Sequence, residues 1–467
     1  MSETELSETE AARDTGLDED DRLKPEYVRA ILDLVEAGDE EAARERVAPL
    51  HPADIADLIE IVPAEQRRAL ASAIAPLIDG EVFAEMNDWV RDELIDALTA
   101  TQVADLTADL DTDDAVAIIE DMDEDEQRAV LRALDPDDRA AIEEALSYPE
   151  ESAGRLMQRE LIAVPEHWSV GDVLDYLRRD DQLTTDFWEI FVVDPAHHPI
   201  GTCNLSWILR TPRGVAIADV MKREQTLIPV DMDQEEVSLR FQKYALISAA
   251  VVDGSGRLVG MITVDDVVHI IQEEAGEDAL LLSGAGDGDI NEPIRDTYRA
   301  RVRWLIANLF TALIPATIIS QFGDTIAAMV ILAALMPIVA NIGGNAGTQT
   351  LAVTVRALAT NQLTPANTLW AVRRELGIAV LNGVTIAVVI GLAVGFFFMD
   401  PLLGVVIGTA TLANIVIAGL AGVLVPLTLD RFDADPAIAS SVFVTTVTDS
   451  MGFLAFLGLA AASGLVG

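Results

Sequence analysis

Past residue 300 this chain holds five apolar segments, at 302–322, 327–355, 376–399, 402–427 and 438–465. Each is long enough to cross a bilayer as a helix. In hydrocarbon every backbone N–H and C=O must find its partner within the protein, which restricts such segments to helices. Residues 1–300 carry nearly all of the charge, so the net −47 belongs to an aqueous half. The chain is therefore expected to be a multidomain membrane protein, with soluble domains in front of an α-helical membrane domain with five spans. Arg299, Arg301 and Arg303 open the first span. Arg356, Arg373 and Arg374 lie between the second and third, and Arg431 between the fourth and fifth. The connections near Asp324 and Asp400 hold no Lys or Arg. The bias of basic residues toward the cytoplasmic face puts the N-terminal half in the cytoplasm of a cell-membrane protein and the C-terminus outside.

From residue 436 onward Asp449 is the sole ionisable side chain. A carboxylate at mid-span costs about 2.5–3.5 kcal/mol to insert, so it belongs in a bundle interior or a wet cavity and marks a cation path. The bland alternative is a polar contact that only holds helices together. The second span reads LMPIVANIGGNAGTQTLAV, with Pro337, Gly343, Gly344 and Gly347 among Asn341, Asn345, Thr348, Gln349 and Thr350. Small residues also let helices pack closely. The polar run favours a pore lining with backbone irregularity at the glycines. Oxygen donors without Cys or intramembrane His suit a hard cation. Magnesium keeps its waters, so a symmetric dimer bringing two copies of Asp449 together is the simplest divalent site.

Only three of the 31 basic residues are lysines, and the acidic excess suits a saline cytoplasm, a halophilic trait. Such a surface does not suit nucleic acid. Cys203 is the single cysteine, which excludes a disulfide framework and a cysteine-based zinc site. The opening residues 1–22 read as a disordered acidic tail without a leader.

Apolar residues recur every twelve positions at Leu50, Val62, Ile74, Met86, Leu98, Leu110, Met122, Leu134 and Leu146. The units, such as LDTDDAVAIIED, start with helix-capping residues and continue with apolar positions at helical spacing. Short helices stacked into an all-α superhelical N domain are expected over 23–149. From residue 154 strands alternate with helices, and the pattern occurs twice. RLMQRELIAVP is echoed by DVMKREQTLIPV, and HPIGTCNLSWIL by RLVGMITVDDVV. This resembles a tandem α/β pair of CBS domains, at 150–214 and 215–275. Gly260, Thr263 and Asp266 keep the nucleotide motif of the second copy, where Thr263 and Asp266 suit a ribose. Capping of the following helix is an equally good reading. Asn204 and Trp207 replace the motif residues in the first copy.

Helical repeat, paired CBS domains, a connecting helix over 276–300 and five spans over 301–467 together resemble the MgtE family of magnesium channels. ARVRW (300–304), GGNAGTQ (343–349), VRALAT (355–360) and DPAIASSVFVTTVTD (435–449) carry the resemblance. It implies a homodimer in membrane lipid that takes up Mg²⁺ through one central pore, gated by Mg²⁺ on its acidic cytosolic domains. The pore residues it implies are Asp449, Gly344, Asn345, Thr348 and Asn341, with Asp435 nearer the cytoplasmic end. Thr348 and Ser441 stand where relatives often carry asparagine. Regulatory Mg²⁺ ligands map onto Asp233, Glu235, Asp266, Glu274, Glu277, Asp278, Asp109 and Asp113, with His269 and Ala245 at places where relatives have Asp. ATP would act as a further regulator through Thr263 and Asp266. An ion-coupled secondary transporter of divalent cations is the alternative. No nucleophile, His–carboxylate arrangement or P-loop supports an enzyme.

Overall fold

The computed structural model describes residues 16–465 except 109, 180–186, 284–287, 289 and 433, with the backbone alone at 438–440. It divides into two compact units, residues 1–271 and 272–467.

The first unit opens with short helices: α1 (Pro25–Glu36), α2 (Glu40–Val47), α3 (Pro52–Ile61), α4 (Ala64–Ile74) and α5 (Gly80–Ala84). Then come α6 (Asp88–Ile95), α7 (Ala100–Thr107), α8 (Thr112–Glu120), α9 (Glu124–Ala133) and α10 (Pro136–Ala145). Local chemistry starts several of them. His51 and Asp54 close a capping box on α3, Thr99 and Gln102 do so on α7, and Asp79 accepts from the Val82 N–H on α5. Every residue of the twelve-residue grid lies in the common core or packs against it. The period is therefore the repeat of one buried position per helical unit. Residues 16–22 depart from the expected disordered tail. The Lys24 N–H donates to the Gly16 carbonyl, and Gly16 lies so close to the Tyr27 ring that a Cβ there would meet it at 2.6 Å.

Two three-stranded sheets follow with the same order. In one, β1 (Ala163–Pro165) pairs parallel with β2 (Glu189–Val193), which pairs antiparallel with β3 (Pro199–Asn204). In the other, β4 (Leu227–Pro229), β5 (Ser248–Val252) and β6 (Leu258–Thr263) repeat the pairing, and the irregularity at Val192/Val193 recurs at Val251/Val252. Helices α11 (Val170–Arg179), α12 (Leu205–Arg210), α13 (Ile217–Val220) and α14 (Gln234–Tyr244) cover them, and α15 (Val264–Ser283) leaves the second sheet. The echoed leading segments are exchanged. Gln158 bridges to Met261 on β6, while Lys222 bridges to Thr202 on β3. Glycine is required at both crossings, because a Cβ on Gly260 would meet Met157 Sδ at 2.6 Å and one on Gly201 would meet Met221 Sδ at 2.8 Å. Each copy thus completes the other's sheet.

In the second unit, α16 (Ile294–Gln321) is followed by a short helix, α17 (Gly323–Ala328). Long helices α18 (Ile331–Ala359), α19 (Thr368–Phe397), α20 (Pro401–Asp430) and α21 (Pro436–Ala462) complete it. Among the described residues five helices are long and apolar enough to span, at Ile294–Gln321, Ile331–Ala359, Thr368–Phe397, Pro401–Asp430 and Ser441–Ala462. The connecting element expected over 276–300 is shared between two long helices. Residues 276–283 finish α15, and 294–303 are already the first turns of α16. The expected irregularity of the second span is absent, for α18 runs unbroken through Pro337 and its glycines. Helices α19 and α20 approach backbone to backbone. A Cβ on Gly404 would lie 2.4 Å from the Gly391 carbonyl oxygen.

Candidate functional site

Asp449 lies on α21 along a groove of about 230 Å³. Ser441, Val442, Thr445 and Thr446 share its wall, and Asn308, Thr311, Ala312 and Pro315 of α16 form the other. The carboxylate is half-buried, and among the described residues no hydrogen bond or ion pair reaches it. Thr446 donates its hydroxyl proton to the Val442 carbonyl at 2.7 Å, which leaves oxygen lone pairs along the groove.

The polar run of α18 divides by face. Gly343 and Gly347 are buried: a Cβ on Gly343 would lie 2.0 Å from Asn414 Nδ2, and one on Gly347 would lie 2.6 Å from Val444. These two glycines serve packing. Asn341, Asn345 and Thr348 fall on the opposite, exposed face. Gly344 lies between them with nothing within 4 Å of a Cβ, and its carbonyl accepts the Thr348 hydroxyl at 3.0 Å. The packing reading therefore describes Gly343 and Gly347, while the polar residues lie on the other face of the helix.

Asn414 is a polar residue that motif reading missed. It is fully buried on α20, donates to the Val339 carbonyl at 2.9 Å, and fills the space left by Gly343 on α18 and Gly452 on α21. One amide thereby holds three spans together. A lone Asn in the apolar run TLANIVIAG was the available signal.

The regulatory candidates separate into three places. Asp113 and Asp114 stand in the first turn of α8, beside Asp266 at the start of α15. Asp113 Oδ1 is buried without a hydrogen-bond partner among the described residues. Burial and the neighbouring Asp266, Asp114 and Asp111 push the Asp113 carboxyl well above the usual range. Burial, with Asp266, Asp111 and Glu85, pushes Asp114 up to about 6. Asp266 is raised too, chiefly by burial, against the pull of the Thr263 hydroxyl that donates to it at 2.8 Å. Thr263 and Asp266 thus cap α15 together, which is the geometry of the capping reading.

Elsewhere in the first unit, Asp233 is the exposed N-cap of α14 and accepts from the Glu235 N–H at 2.9 Å. On α15, Glu274 and Asp278 share a helix face, with Glu277 more exposed. Burial, and then the nearby Asp435, raises the Asp278 carboxyl. Asp435 is the N-cap of α21 and accepts from the Ala437 N–H at 2.7 Å. Asp109 lies outside the described residues. Among the described residues no three His, Cys, Asp or Glu side chains converge closely enough to hold a metal ion by themselves. The carboxylates are thus brought together pairwise.

The joint between the helical repeat and the sheets is held by other residues. Arg155 reaches Glu120 at 2.7 Å and the Tyr148 and Leu146 carbonyls at 3.0 and 3.1 Å. Arg159 pairs with Glu144, and Glu160 accepts the Thr112 hydroxyl at 2.7 Å.

Three family profiles match the chain: the divalent cation transporter MgtE over residues 336–459, the MgtE intracellular N domain over 50–151, and the CBS domain over 217–273. The magnesium transporter MgtE of Thermus thermophilus is 30% identical over 440 residues, 92% of this chain and 97% of that protein. The magnesium transporter MgtE of Bacillus subtilis is 28% identical over 439 residues, 94% and 97% of the two chains. A solved structure of the cytosolic domain of the Mg²⁺ channel MgtE in complex with ATP is 28% identical, covering 52% of this chain and 99% of that one with a TM-score of 0.48. With the identity to the Thermus thermophilus protein extending along nearly the whole of both sequences, and with family profiles matching both the N-terminal and the membrane segments, the chain belongs to the MgtE family of magnesium transporters.

Proposed function

We propose that the protein is a Mg²⁺ channel that takes up magnesium across the cell membrane as a homodimer, with Asp449 in its pore. The observation that supports this best is the half-buried Asp449 carboxylate, without a partner among the described residues, on a groove lined by Asn and Thr. A carboxylate set among hydroxyls and amides attracts a cation that keeps its water shell. Almost none of the first span is covered by the rest of the chain, and the Asn341, Asn345 and Thr348 face of α18 is open. A two-fold axis along these surfaces would cover them and pair the two Asp449 carboxylates. The basic connections favour cytoplasmic N-terminal domains and an outside C-terminus.

Gating is assigned to the acidic pairs. Asp113, Asp114 and Asp266 crowd carboxylates in a poorly solvated joint, and the buried unpartnered Asp113 Oδ1 is a ready oxygen donor. A hard divalent ion held between two of these carboxylates, with water filling its remaining positions, would neutralise the repulsion and keep the joint closed. Asp278 with Asp435 is the second such pair, and Asp233, Glu235, Glu274 and Glu277 extend the acidic surface. ATP remains a candidate regulator at Thr263, in competition with the Thr263–Asp266 cap.

Mg²⁺ uptake in a magnesium-auxotrophic host tests the pore assignment. Asp449→Asn should abolish growth rescue, and undiminished uptake would refute it. Unitary currents from reconstituted protein separate a channel from an alternating-access carrier.

A further inference from the structure

We propose that the first span forms part of the ion path, with Asn308 and the backbone carbonyl of Thr311 holding the water shell of the cation beside Asp449. This rests on the pore assignment of Asp449 and extends it to a helix whose residues carry no assigned role.

Three observations converge. Asn308, Thr311, Ala312 and Pro315 of α16 face the Asp449 side of α21 across the same groove. Asn308 is exposed, and an amide in a span is costly against lipid but well placed in a wet groove. Pro315 stands inside α16, and proline has no N–H. The Thr311 carbonyl therefore lacks its helical donor one turn on, and at membrane depth such freed groups are tolerated where they line water or protein. The Thr311 hydroxyl gives its proton to the Asn308 carbonyl at 3.0 Å, keeping its lone pairs outward.

The residues along the groove thus carry several acceptors: the Asp449 carboxylate, the Thr311 and Thr446 hydroxyl oxygens, the Thr311 carbonyl that Pro315 leaves without a donor, and the Asn308 amide oxygen. Water bound to a cation turns its hydrogens outward, so this surface matches a hydrated ion. Six waters at about 30 Å³ each need about 180 Å³. The groove, at about 230 Å³, accommodates them.

The test is Mg²⁺ flux and unitary conductance of the full-length protein in proteoliposomes. Asn308→Leu should lower Mg²⁺ conductance about tenfold by removing one acceptor, while Asn308→Gln restores most of it. Pro315→Ala returns a helical donor to the Thr311 carbonyl and should also lower conductance and reduce preference for Mg²⁺ over a monovalent cation. Pro→Ala only strengthens the helix, so this variant decides the matter if Asn308→Leu fails to fold. Unchanged conductance and ion preference in the folded variants, with Asp449→Asn still inactive, would overturn the proposal and leave the pore assignment standing. Full conductance in Asp449→Asn would remove the pore assignment itself.

Discussion

The joint of Asp113, Asp114 and Asp266 allows a quantitative prediction about Asp114→Asn. The Asp114 carboxyl is raised from 3.8 to about 6, chiefly by burial and then by Asp266 and Asp111. About two pH units at 1.36 kcal/mol each oppose the ionised side chain in the closed joint by about 3 kcal/mol. Because the residue keeps some solvent contact, about 2 kcal/mol is the better figure, or roughly thirtyfold in the equilibrium between closed and open joint. In chelator at pH 7.5, Asp114→Asn should therefore hold α8 against the start of α15 without divalent ion. The sign for the wild type follows. The closed-state carboxyl is raised above its free value, so its stabilisation is complete below about 3.8 and is lost as pH rises through about 6. Asp113, raised further, extends the loss to higher pH. Hydrogen exchange of residues 112–120 in the solubilised full-length protein reads the joint directly. The reasoning fails if Asp114→Asn leaves protection in chelator unchanged, or if wild-type protection falls on acidification from pH 7 toward 5.

Other substitutions test the packing and the joint. Asn414→Leu loses the Val339 bond and forces a bulkier shape between Gly343 and Gly452, so it should destabilise the membrane unit by about 1–3 kcal/mol and lower its thermal midpoint. Gly404→Leu should separate α19 from α20 at a similar cost of about 1–3 kcal/mol, whereas Gly344→Ala, with open space at its Cβ, should leave the midpoint unchanged and alter only flux. Arg155→Ala removes the Glu120 pair and two carbonyl contacts, and should raise exchange at the joint in the presence of Mg²⁺ as well as in chelator. At about 1 M salt the Debye length is about 3 Å, so Glu41→Gln on the exposed surface should leave the Mg²⁺ midpoint of gating in place while Asp266→Asn shifts it. Equal shifts from both would show that diffuse charge sets the gate.

Patterns that depend on one helix or one strand were legible in the sequence. The twelve-residue grid named the core positions of the N domain because each short helix buries the same register. The paired echoes named two sheets with one topology, since strand pairing follows local alternation. The exchange of leading segments was not legible, because it is set by contacts of Met157 with Gly260 and of Met221 with Gly201 across the two copies. The same limit governs the spans. Asn341 and Asn345 stood out in an apolar run, and Asn414 lay in another without being singled out, but the roles of such residues depend on helix rotation, which packing decides. Asn414 turned inward against two glycines, while Asn341 and Asn345 stayed on the open face.

Charge shows the same dependence on surroundings. The sequence offers dozens of carboxylates of one chemical type, and composition alone reads them as a hydrated, salt-adapted surface. Screening acts on that surface, because water and ions reach it. It acts far less on Asp113, whose Oδ1 is buried beside Asp266, and less on the partly buried Asp278. An acidic N-terminal half can thus be indifferent to salt over most of its area and sensitive to a divalent ion at two small places. In the proposed mechanism those places gate the path to Asp449. What sets the few carboxylates apart is the loss of solvent that the helix packing imposes on them, so a sensor can work in a protein whose surface is acidic throughout.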